Sequence, residues 1–549
     1  MSRYVIVGGV AGGASAAARL RRLDEEAEII LIERGPDISY ANCGLPYYIG
    51  GVIESDEDLL LQTPESFYAR FRVTVCTRSE VRAIDRAAKQ VSGCHLDTGE
   101  TFSLKYDKLI LSTGAAPVVP KLPGISLPGV YTLRNVQDSQ AILQAAQQTE
   151  GGRVVVVGGG FIGLEVAENL RHRGLNVTIV EAAPQIMAPF DEEMAAILTR
   201  TLEKAGIEVL LGAPITGIQE DKNEYRVFVG MNKTVTCDFV VLAIGVRPET
   251  TLAEQAGLKL DERKFIVTDN ALRTSDPDIY AVGDAIEVEN QITRRRGSLA
   301  LAGPANRQGR LAAGNVCGAR QGFRGVVGAS VLKLFDRTAA CTGVNERTLR
   351  ELGMSYEKIY ISPLNHAGYY PGGSPIYLKL LFDLDGRILG AQAVGGEGTD
   401  KRMDVIGTAM QMGGRVSDLE NLELGYAPAY SSAKDPVNMA GMVSGNVLAG
   451  LAPVFHWHDL AERDPENSCL VDVRTEEEYQ NGHLEGAVNL PVDELRERLG
   501  ELPQEKELWI YCQAGLRGYI AQRILMQKDF KKVRNLSGGY GLLQAMGKV

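Results

Sequence analysis

The chain has no paired cysteine motif. Its eight cysteines include no C-x-x-C or C-x4-C spacing, so no neighbouring pair can close a disulfide or form half of a zinc site. The scatter also differs from the dense disulfide framework of a small secreted domain, and it is typical of a protein in the reducing cytoplasm. The eight positions are Cys43, Cys76, Cys94, Cys237, Cys317, Cys341, Cys469 and Cys512.

Long apolar runs are also missing. Without a stretch of about 18 apolar residues, we expect no transmembrane helix and no membrane partner. The first residues read as a strand that leads into glycines, not as a signal peptide. The net charge of −11 argues against nonspecific nucleic-acid binding. The remaining composition is globular, and 549 residues suffice for roughly three or four domains.

Residues 1–34 have the pattern strand, glycine turn, helix, strand. The G-G-V-A-G-G run at 8–13 precedes an Ala-rich helix predicted over 14–23, and the second strand ends at Glu33. Glycines let the backbone approach a pyrophosphate, and Glu33 is placed to bind a ribose hydroxyl. Because Val10 occupies the middle glycine position, the fingerprint is incomplete. A glycine-rich turn without a ligand is the alternative.

The same pattern recurs at 153–181 and is complete there. The G-G-G-F-I-G run at 158–163 satisfies the fingerprint, a helix is predicted over 164–172, and the next strand ends at Glu181. Two fingerprints about 150 residues apart predict two dinucleotide sites in one chain. The carboxylate of Glu181 would repel a 2′-phosphate, which favours NADH, although NADPH stays possible.

Three further segments complete the two predicted nucleotide-binding folds. A strand runs into a Thr-Gly turn at 109–117, a similar strand and turn occupy 240–248, and a strand at 279–285 ends in Gly-Asp. Asp284, just beyond that strand, could bind sugar or ribityl hydroxyls. Its bland alternative is an ordinary helix N-cap.

One cysteine, Cys43, lies in the segment S-Y-A-N-C-G-L-P-Y at 39–47. If Cys43 is a redox thiol, its partner sulfur must come from elsewhere, most simply from a bound small thiol. Taken alone, a lone cysteine is more often a small buried apolar residue than a nucleophile.

In this order, the motifs resemble those of the flavin-dependent pyridine-nucleotide–disulfide oxidoreductase family, from residue 1 to about 445. The resemblance implies FAD at the first fingerprint, NAD(P)H at the second, and contact between Asp284 and the flavin ribityl chain. The segment around Cys43 resembles the coenzyme A–disulfide reductase branch, whose lone cysteine pairs with the coenzyme A thiol. It also resembles single-cysteine NADH peroxidases and oxidases. Their histidine in the first glycine turn is Ala11 here, which speaks against a peroxidase.

The resemblance also implies a set of site residues. Coenzyme A phosphates would meet Arg19 and Arg22, three apart on one helix face, although a solvated surface is the bland alternative. Ser39 and Asn42 would be polar neighbours of the bound thiol. The predicted cofactor-binding residues are Gly8, Val10, Ala11, Gly12, Gly13, Glu33, Arg34, Asn42, Val81, Thr113, Gly114, Gly158, Gly160, Phe161, Ile162, Gly163, Glu181, Gly245, Asp284 and Ala302.

Residues 326–445 should form the family's third domain, which makes a homodimer interface. In the resembled branch, tyrosines of this domain reach the partner subunit's cysteine. Tyr426 and one of Tyr369 or Tyr370 are the candidates, and Tyr370 is taken with Tyr426 as catalytic. Buried interface or turn tyrosines are the alternative.

The last 93 residues form a separate unit. Its D-V-R motif, its G-H-L-E-G-A motif and the loop C-Q-A-G-L-R from Cys512 to Arg517 resemble a single rhodanese domain. Inward-pointing N–H groups and a helix N-terminus lower a thiol's pKa in such a loop, and Arg517 would add positive charge. The C-x4-R loop is shorter than the C-x5-R loop of cysteine phosphatases and suits a persulfide sulfur.

The predicted class is α/β, with two nested Rossmann-like domains, an α+β dimerisation domain and an α/β rhodanese domain. The FAD-binding domain takes 1–115 and 250–325, and the NAD(P)H-binding domain takes 116–249. The dimerisation domain is 326–445, a linker is 446–456, and the rhodanese domain is 457–549. No metal is expected.

The predicted enzyme uses NADH, FAD and Cys43 to reduce persulfides, polysulfides and coenzyme A disulfide. Cys512 would deliver sulfane sulfur to a thiol acceptor near Cys43 or to coenzyme A. Three alternatives stay open: an NADH oxidase or peroxidase that uses a cysteine sulfenic acid, a thiol-redox sensor, and a rhodanese domain that only docks a partner.

Overall fold

The computed structural model describes residues 1–149, 151–222 and 224–549. The chain divides into two compact units, Met1–Pro184 with Leu210–Val326, and Gln185–Val209 with Val327–Val549. The α/β class predicted from the sequence is confirmed. Among the described residues, none of the helices is both long enough and apolar enough to cross a bilayer.

The first unit contains two parallel sheets of the nucleotide-binding type. In the first sheet the strands lie in the order Ile279–Ala281, Lys108–Leu111, Arg3–Val7, Glu28–Ile32, Thr74–Cys76. The second sheet begins Val130–Thr132, Phe239–Leu242, Arg153–Val157, Asn176–Val180, with Leu210 of the strand Glu208–Leu210 at its edge. In each sheet the strand order reverses at the strand that feeds a glycine turn, where ligands bind in open α/β sheets.

Smaller antiparallel elements and several α-helices complete this unit. The helices are Val10–Leu23, Leu45–Gly50, Pro64–Phe71, Val136–Gln148, Phe161–His172, Thr251–Gln255 and Ala302–Val316. The antiparallel strands are Ser39–Tyr40 with Leu60–Gln62, Ser79–Asp85 with Gln90–His95 and Thr101–Lys105, Ala115–Pro117 with Val246–Pro248, Ile215–Asp221 with Glu224–Val229 and Lys233–Cys237, and Val288–Glu289 with Arg296–Gly297.

The second unit contains an antiparallel sheet and the parallel sheet of the predicted rhodanese domain. The antiparallel order is Ser330–Leu334, Arg337–Gly343, Ile388–Gly395, Tyr377–Phe382, Glu357–Ile361. The parallel order is Val454–Phe455, Val533–Leu536, Glu507–Tyr511, Ser468–Asp472, Ala487–Asn489. The α-helices are Glu192–Lys204, Glu346–Glu351, Thr399–Gln411, Val416–Asn421, Pro436–Leu448, Glu476–Gln480, Leu516–Met526 and Gly539–Met546.

Two helix starts were predicted wrongly. The fingerprint helices begin at Val10 and Phe161, not at 14 and 164, because the last fingerprint glycines lie inside the first helical turn. The predicted linker 446–456 is partly regular structure. The helix Pro436–Leu448 runs into it, and Val454–Phe455 is an edge strand of the rhodanese sheet. Between these two elements, residues 449–451 are exposed.

Candidate active sites

The first glycine of each turn has a positive φ and lies close to a backbone carbonyl oxygen. Gly8 has a φ of +92°, and a Cβ there would lie 2.2 Å from the Ser112 carbonyl oxygen. Gly158 has a φ of +111°, and its Cβ would lie 2.3 Å from the Ala243 carbonyl oxygen. Neither helix that follows has a capping side chain at its N-terminus. Both turns therefore leave a helix N-terminus for a pyrophosphate, which fits a dinucleotide at each site.

Val10, at the middle position of the first fingerprint, has a backbone conformation that is unusual for a β-branched residue. Its φ is +53°, in the left-handed region that favours glycine. Such a conformation costs on the order of 1–3 kcal/mol and persists only where the surroundings impose it. The second fingerprint has Gly160 at the corresponding position with a φ of −84°, so the two turns differ there.

The two strand-end glutamates are held in the same way. The Glu33 carboxylate accepts hydrogen bonds from the Gly9 and Gly35 N–H groups at 2.8 and 2.7 Å. The Glu181 carboxylate accepts from Gly159 at 2.7 Å and from Ala183 at 2.8 Å. These amides fix each carboxylate beside its glycine turn, where a ribose hydroxyl could donate to it.

The other predicted cofactor residues are spread around these turns. Thr113 donates to the Glu249 carbonyl at 2.5 Å, and the 3-10 turn Gly283–Ala285 carries Asp284 beyond its strand. Burial raises the pKa of Asp284, opposed by the charge of Arg134. Open space surrounds Gly160 and Gly245. In the remaining set, Val81 is buried, Asn42 and Gly114 are half-buried, and Arg34, Ile162 and Ala302 are exposed.

Cys43 lies exposed in the 3-10 turn Asn42–Gly44. Partial burial of the sulfur raises the pKa of its thiol, and the carboxylates of Glu165 and Asp284 add to that increase. The thiol therefore lies within electrostatic range of Asp284, the residue predicted to contact the flavin. The first unit brings its predicted redox thiol and its predicted flavin site together.

A carboxyl group near Cys43 was missed by the sequence analysis. Tyr47 donates a hydrogen bond to Glu165 at 3.5 Å. Burial, with the nearby Glu168 carboxylate, raises the pKa of Glu165 to about 7. Glu165 lies two residues after Gly163, the last glycine of the second fingerprint. The sequence therefore marked it only as an acidic residue at the start of an apolar helix.

The predicted coenzyme A arginines differ in exposure. Arg22 is exposed, whereas Arg19 is half-buried, and its buried Nε has no hydrogen-bond partner among the residues that the structure describes. Arg21, between them, donates to the carbonyls of Phe71 and Arg72 and is structural. Ser39 lies in the strand Ser39–Tyr40 and is half-buried.

In the second unit the tyrosine pair differs from the predicted one. The hydroxyls of Tyr369 and Tyr426 are 2.7 Å apart, and both side chains are exposed. Tyr370 instead packs its ring edge-on against His366, with centroids 5.5 Å apart. The hydroxyl pair therefore contains Tyr369, one of the two candidates, whereas Tyr370 points in a different direction, and a catalytic role for Tyr370 stays a prediction.

Arg402 joins the two loops that carry this pair. It is almost completely buried, and its guanidinium donates to the Asn365 carbonyl at 2.9 Å and the Tyr430 carbonyl at 3.0 Å. Its charge is paired with Asp435 at 2.9 Å. One side chain thus fixes the spacing of both tyrosine loops.

The rhodanese loop follows the strand Glu507–Tyr511. Cys512 is buried, and the Gly515 N–H donates to its sulfur at 3.1 Å. Arg517 lies within electrostatic range of Cys512, and its charge is also paired with a carboxylate. Its guanidinium makes two hydrogen bonds, of 2.6 and 2.7 Å, to the Glu478 carboxylate.

These sites define an oxidoreductase with two dinucleotide folds, a lone thiol and a separate sulfur-binding loop. Residues 2–309 match the model of pyridine nucleotide-disulphide oxidoreductases, 330–436 match the dimerisation domain of that family, and 457–545 match a rhodanese-like domain. The chain belongs to the pyridine nucleotide-disulphide oxidoreductase family and carries a C-terminal rhodanese domain. Flavin and nicotinamide nucleotides are the cofactors of this family.

Similar proteins cover most or all of the chain. A coenzyme A disulfide reductase of Staphylococcus aureus strain JH9 is 37% identical over 80% of this chain and 99% of that protein. The structure of reduced Bacillus anthracis CoADR-RHD has a TM-score of 0.96 at 46% identity, over 100% of this chain and 98% of the other. A NAD-dependent persulfide reductase from A. fulgidus has a TM-score of 0.93 at 36% identity, over 98% and 99%.

Proposed function

We propose that the protein uses NADH to reduce persulfides, polysulfides and coenzyme A disulfide through Cys43, with Cys512 supplying sulfane sulfur. The observation that carries this proposal is that a lone thiol beside a flavin-type site and a persulfide-type cysteine loop occur in one chain. The similarity to a coenzyme A disulfide reductase and to a persulfide reductase with high coverage of both chains supports the same reading.

Cys43 would be the nucleophile. Its thiolate attacks the R-bound sulfur of a persulfide R–S–SH, forming Cys43–S–S–R and releasing sulfide. With coenzyme A disulfide, the same attack releases one coenzyme A thiolate. FAD, when bound, would supply the electron pair from NADH that cleaves the mixed disulfide into two thiolates. Coenzyme A is the favoured R group, with Arg19 and Arg22 as partners for its phosphates.

Glu165 would exchange protons near the Cys43 thiol and so influence its protonation state. A carboxyl group with a pKa of about 7 exchanges protons readily at neutral pH, and its charge state alters the pKa of the thiol beside it. Tyr47, which donates to Glu165, would hold that carboxyl in place. This pair is a positioning device for the thiol.

The tyrosine pair would protonate the leaving sulfur. Tyr369 and Tyr426 share one hydrogen bond, so one hydroxyl hydrogen is free to be donated. We infer a homodimer in which the pair serves the Cys43 of the partner subunit, as the family resemblance implies. The match to the dimerisation domain supports this arrangement.

NADH would be the preferred reductant. Two amides hold the Glu181 carboxylate at the end of its strand, where it can accept a hydrogen bond from the 2′-hydroxyl. A 2′-phosphate in that place would face a negative charge.

The test is anaerobic NADH oxidation coupled to sulfide release from coenzyme A persulfide. Cys43→Ser should reduce the turnover at least about a hundredfold, since the nucleophile is lost. Cys317→Ser, which alters another exposed cysteine of the same unit, is the matched control and should be unaffected. An unchanged rate in Cys43→Ser refutes the proposal, and fast NADH oxidation with oxygen alone would instead favour an oxidase.

Mass spectrometry of the protein purified without reductant identifies the thiol partner. We expect an adduct of coenzyme A mass on the peptide that carries Cys43, and its loss on reduction. Cys512→Ser should lower sulfide release from an organic persulfide while leaving coenzyme A disulfide reduction intact. If it leaves both unchanged, the sulfur-delivery role of the rhodanese domain is wrong.

A further inference from the structure

The substrate range of the rhodanese loop depends on the charge around Cys512. A sulfane sulfur can reach this cysteine from an anionic donor such as thiosulfate or from a persulfide on an organic thiol. Thiosulfate is a dianion, and sulfite, which leaves when its outer sulfur is taken, is a dianion as well. A cation at the loop therefore favours transfer from thiosulfate more than transfer from an organic persulfide.

The two arginines nearest the loop are already paired. Arg517 makes its bidentate contact with Glu478, and this hydrogen bonding lowers the pKa of Glu478 to about 2. Arg474 is buried, pairs with Asp472 at 2.7 Å, and donates to the Gly482 carbonyl at the same distance. Neither guanidinium is free to meet an incoming dianion.

The exposed part of the loop is apolar. Leu516 is 68% exposed and begins the helix Leu516–Met526, directly after the glycine that donates to the Cys512 sulfur. Ile520, one turn later on the same helix, is also exposed. Between 512 and 517, Arg517 is the only charged residue.

The charge of the whole domain works in the same direction. Between residues 457 and 549 the sequence contains sixteen Asp and Glu against twelve Lys and Arg. An acidic domain lowers the local concentration of anions and slows their association. The net negative charge of the domain therefore adds no attraction for thiosulfate.

We propose that this rhodanese site takes sulfane sulfur from organic persulfides with an uncharged segment next to the sulfur, and discriminates against thiosulfate. The proposal deepens the sulfur-delivery role proposed above and depends on it only for its biological use. In the step, the Cys512 thiolate attacks the outer sulfur of R–S–SH. The Cys512–S–SH bond forms, the R–S bond to that sulfur breaks, and the thiolate R–S⁻ leaves without net oxidation.

The test measures thiocyanate formation with cyanide as the acceptor, which requires neither NADH nor Cys43. The donors are pantetheine persulfide and thiosulfate, and the protein is the full-length holoenzyme. We expect kcat/KM for the persulfide to exceed that for thiosulfate by about a hundredfold or more. Values within about threefold of each other would overturn the proposal.

A gain of function tests the physical cause. Leu516→Arg places a free cation on an exposed position of the loop and should raise kcat/KM for thiosulfate about tenfold, an effect that salt reduces. Leu516→Gln, polar but neutral, is the matched control and should leave the thiosulfate value unchanged. No gain in Leu516→Arg, or an equal gain in both variants, would overturn the electrostatic explanation.

Failure of the proposed reductase function would be distinguishable from failure here. Cys43→Ser should retain full thiocyanate formation even where it abolishes NADH-dependent sulfide release. A loss of thiocyanate formation in Cys43→Ser would show that the two thiols act as one site, which contradicts an independent rhodanese selectivity.

Discussion

The buried lysine of the second unit offers the sharpest test of its electrostatics. Lys379 is completely buried, and its ammonium contacts Asp191 at 2.7 Å, Glu193 at 2.5 Å and also Glu346. The three carboxylates lie close enough together to bind a cation jointly, and the lysine ammonium takes that place. Lys379→Met removes the cation while keeping a side chain of similar length.

The magnitude follows from what the variant leaves behind. Removing one partner of a buried ion pair typically costs about 3–5 kcal/mol, because an uncompensated charge remains. Lys358, at 2.9 Å from Glu346, partly compensates that residue but not Asp191. We therefore expect the free energy of unfolding at pH 8 to fall by about 3–5 kcal/mol.

The sign of the pH dependence should reverse. Burial pushes the pKa of Glu346 upward, but Lys379 and Lys358 hold it well below its usual range. Such a group stabilises the native wild-type protein above its unfolded pKa of about 4.3, and that stability is lost as the pH falls. Burial already raises the pKa of Asp191, and the variant raises it further. In Lys379→Met the buried carboxyls take up protons on folding, so stability should fall as the pH rises from about 5 to 8.

Tryptophan fluorescence during urea unfolding measures this effect selectively. The chain has two tryptophans, Trp457 and Trp509, and both lie in the second unit, whereas flavin fluorescence reports the first. Lys401→Met, which removes an exposed lysine of the same unit, is the control and should change the unfolding free energy by less than about 0.5 kcal/mol. A Lys379→Met protein that loses less than about 1 kcal/mol at pH 8, or that gains stability with rising pH, would refute the reasoning.

Substitutions at three other positions test the proposed sites. Arg402→Ala should lower the free energy of unfolding by about 3–5 kcal/mol, because it leaves the buried Asp435 without its partner. Arg402→Lys should recover part of the stability but not the turnover, because a lysine cannot span both tyrosine loops. Urea melts measure the stability, and steady-state rates measure the turnover. Glu181→Gln should lower KM for NADPH about tenfold with little change for NADH, and an unchanged ratio would contradict the charge argument. Tyr47→Phe removes a hydrogen bond that lowers the pKa of Glu165, so the limb of the pH–rate profile near pH 7 should move upward, and a limb that stays in place would exclude Glu165 as its source.

Local backbone requirements explain what could be predicted from the sequence. At Gly8 and Gly158, the φ is above +90° and a carbonyl oxygen lies about 2 Å from where a Cβ would be, so only glycine is accepted. The glycine motif therefore predicts the turn directly. The two strand-end glutamates follow from the same repeat. In each case the information lies within about 30 residues of chain, and short-range patterns carry it.

The missed features depend on residues that meet only in the folded chain. Tyr47 and Glu165 are 118 positions apart, and nothing in either segment marks the other as its partner. Neither does the sequence distinguish Tyr369 from Tyr370, since both are exposed neighbours and only the position of Tyr426 decides between them. The sequence also does not show that Arg517 is paired with Glu478, because Glu478 belongs to a different helix.

Both sulfur sites share one electrostatic feature that constrains how they react. At Cys43, burial and two carboxylates favour the thiol over the thiolate, so the side chains themselves do not activate this sulfur. Reductive cleavage of a mixed disulfide yields a thiolate without prior deprotonation, and such a cycle does not need a lowered pKa. At the rhodanese loop, Arg517 is paired with the Glu478 carboxylate. The paired or negative side chains around both sulfurs give little attraction for small dianions such as thiosulfate. They suit sulfur that arrives on an organic carrier.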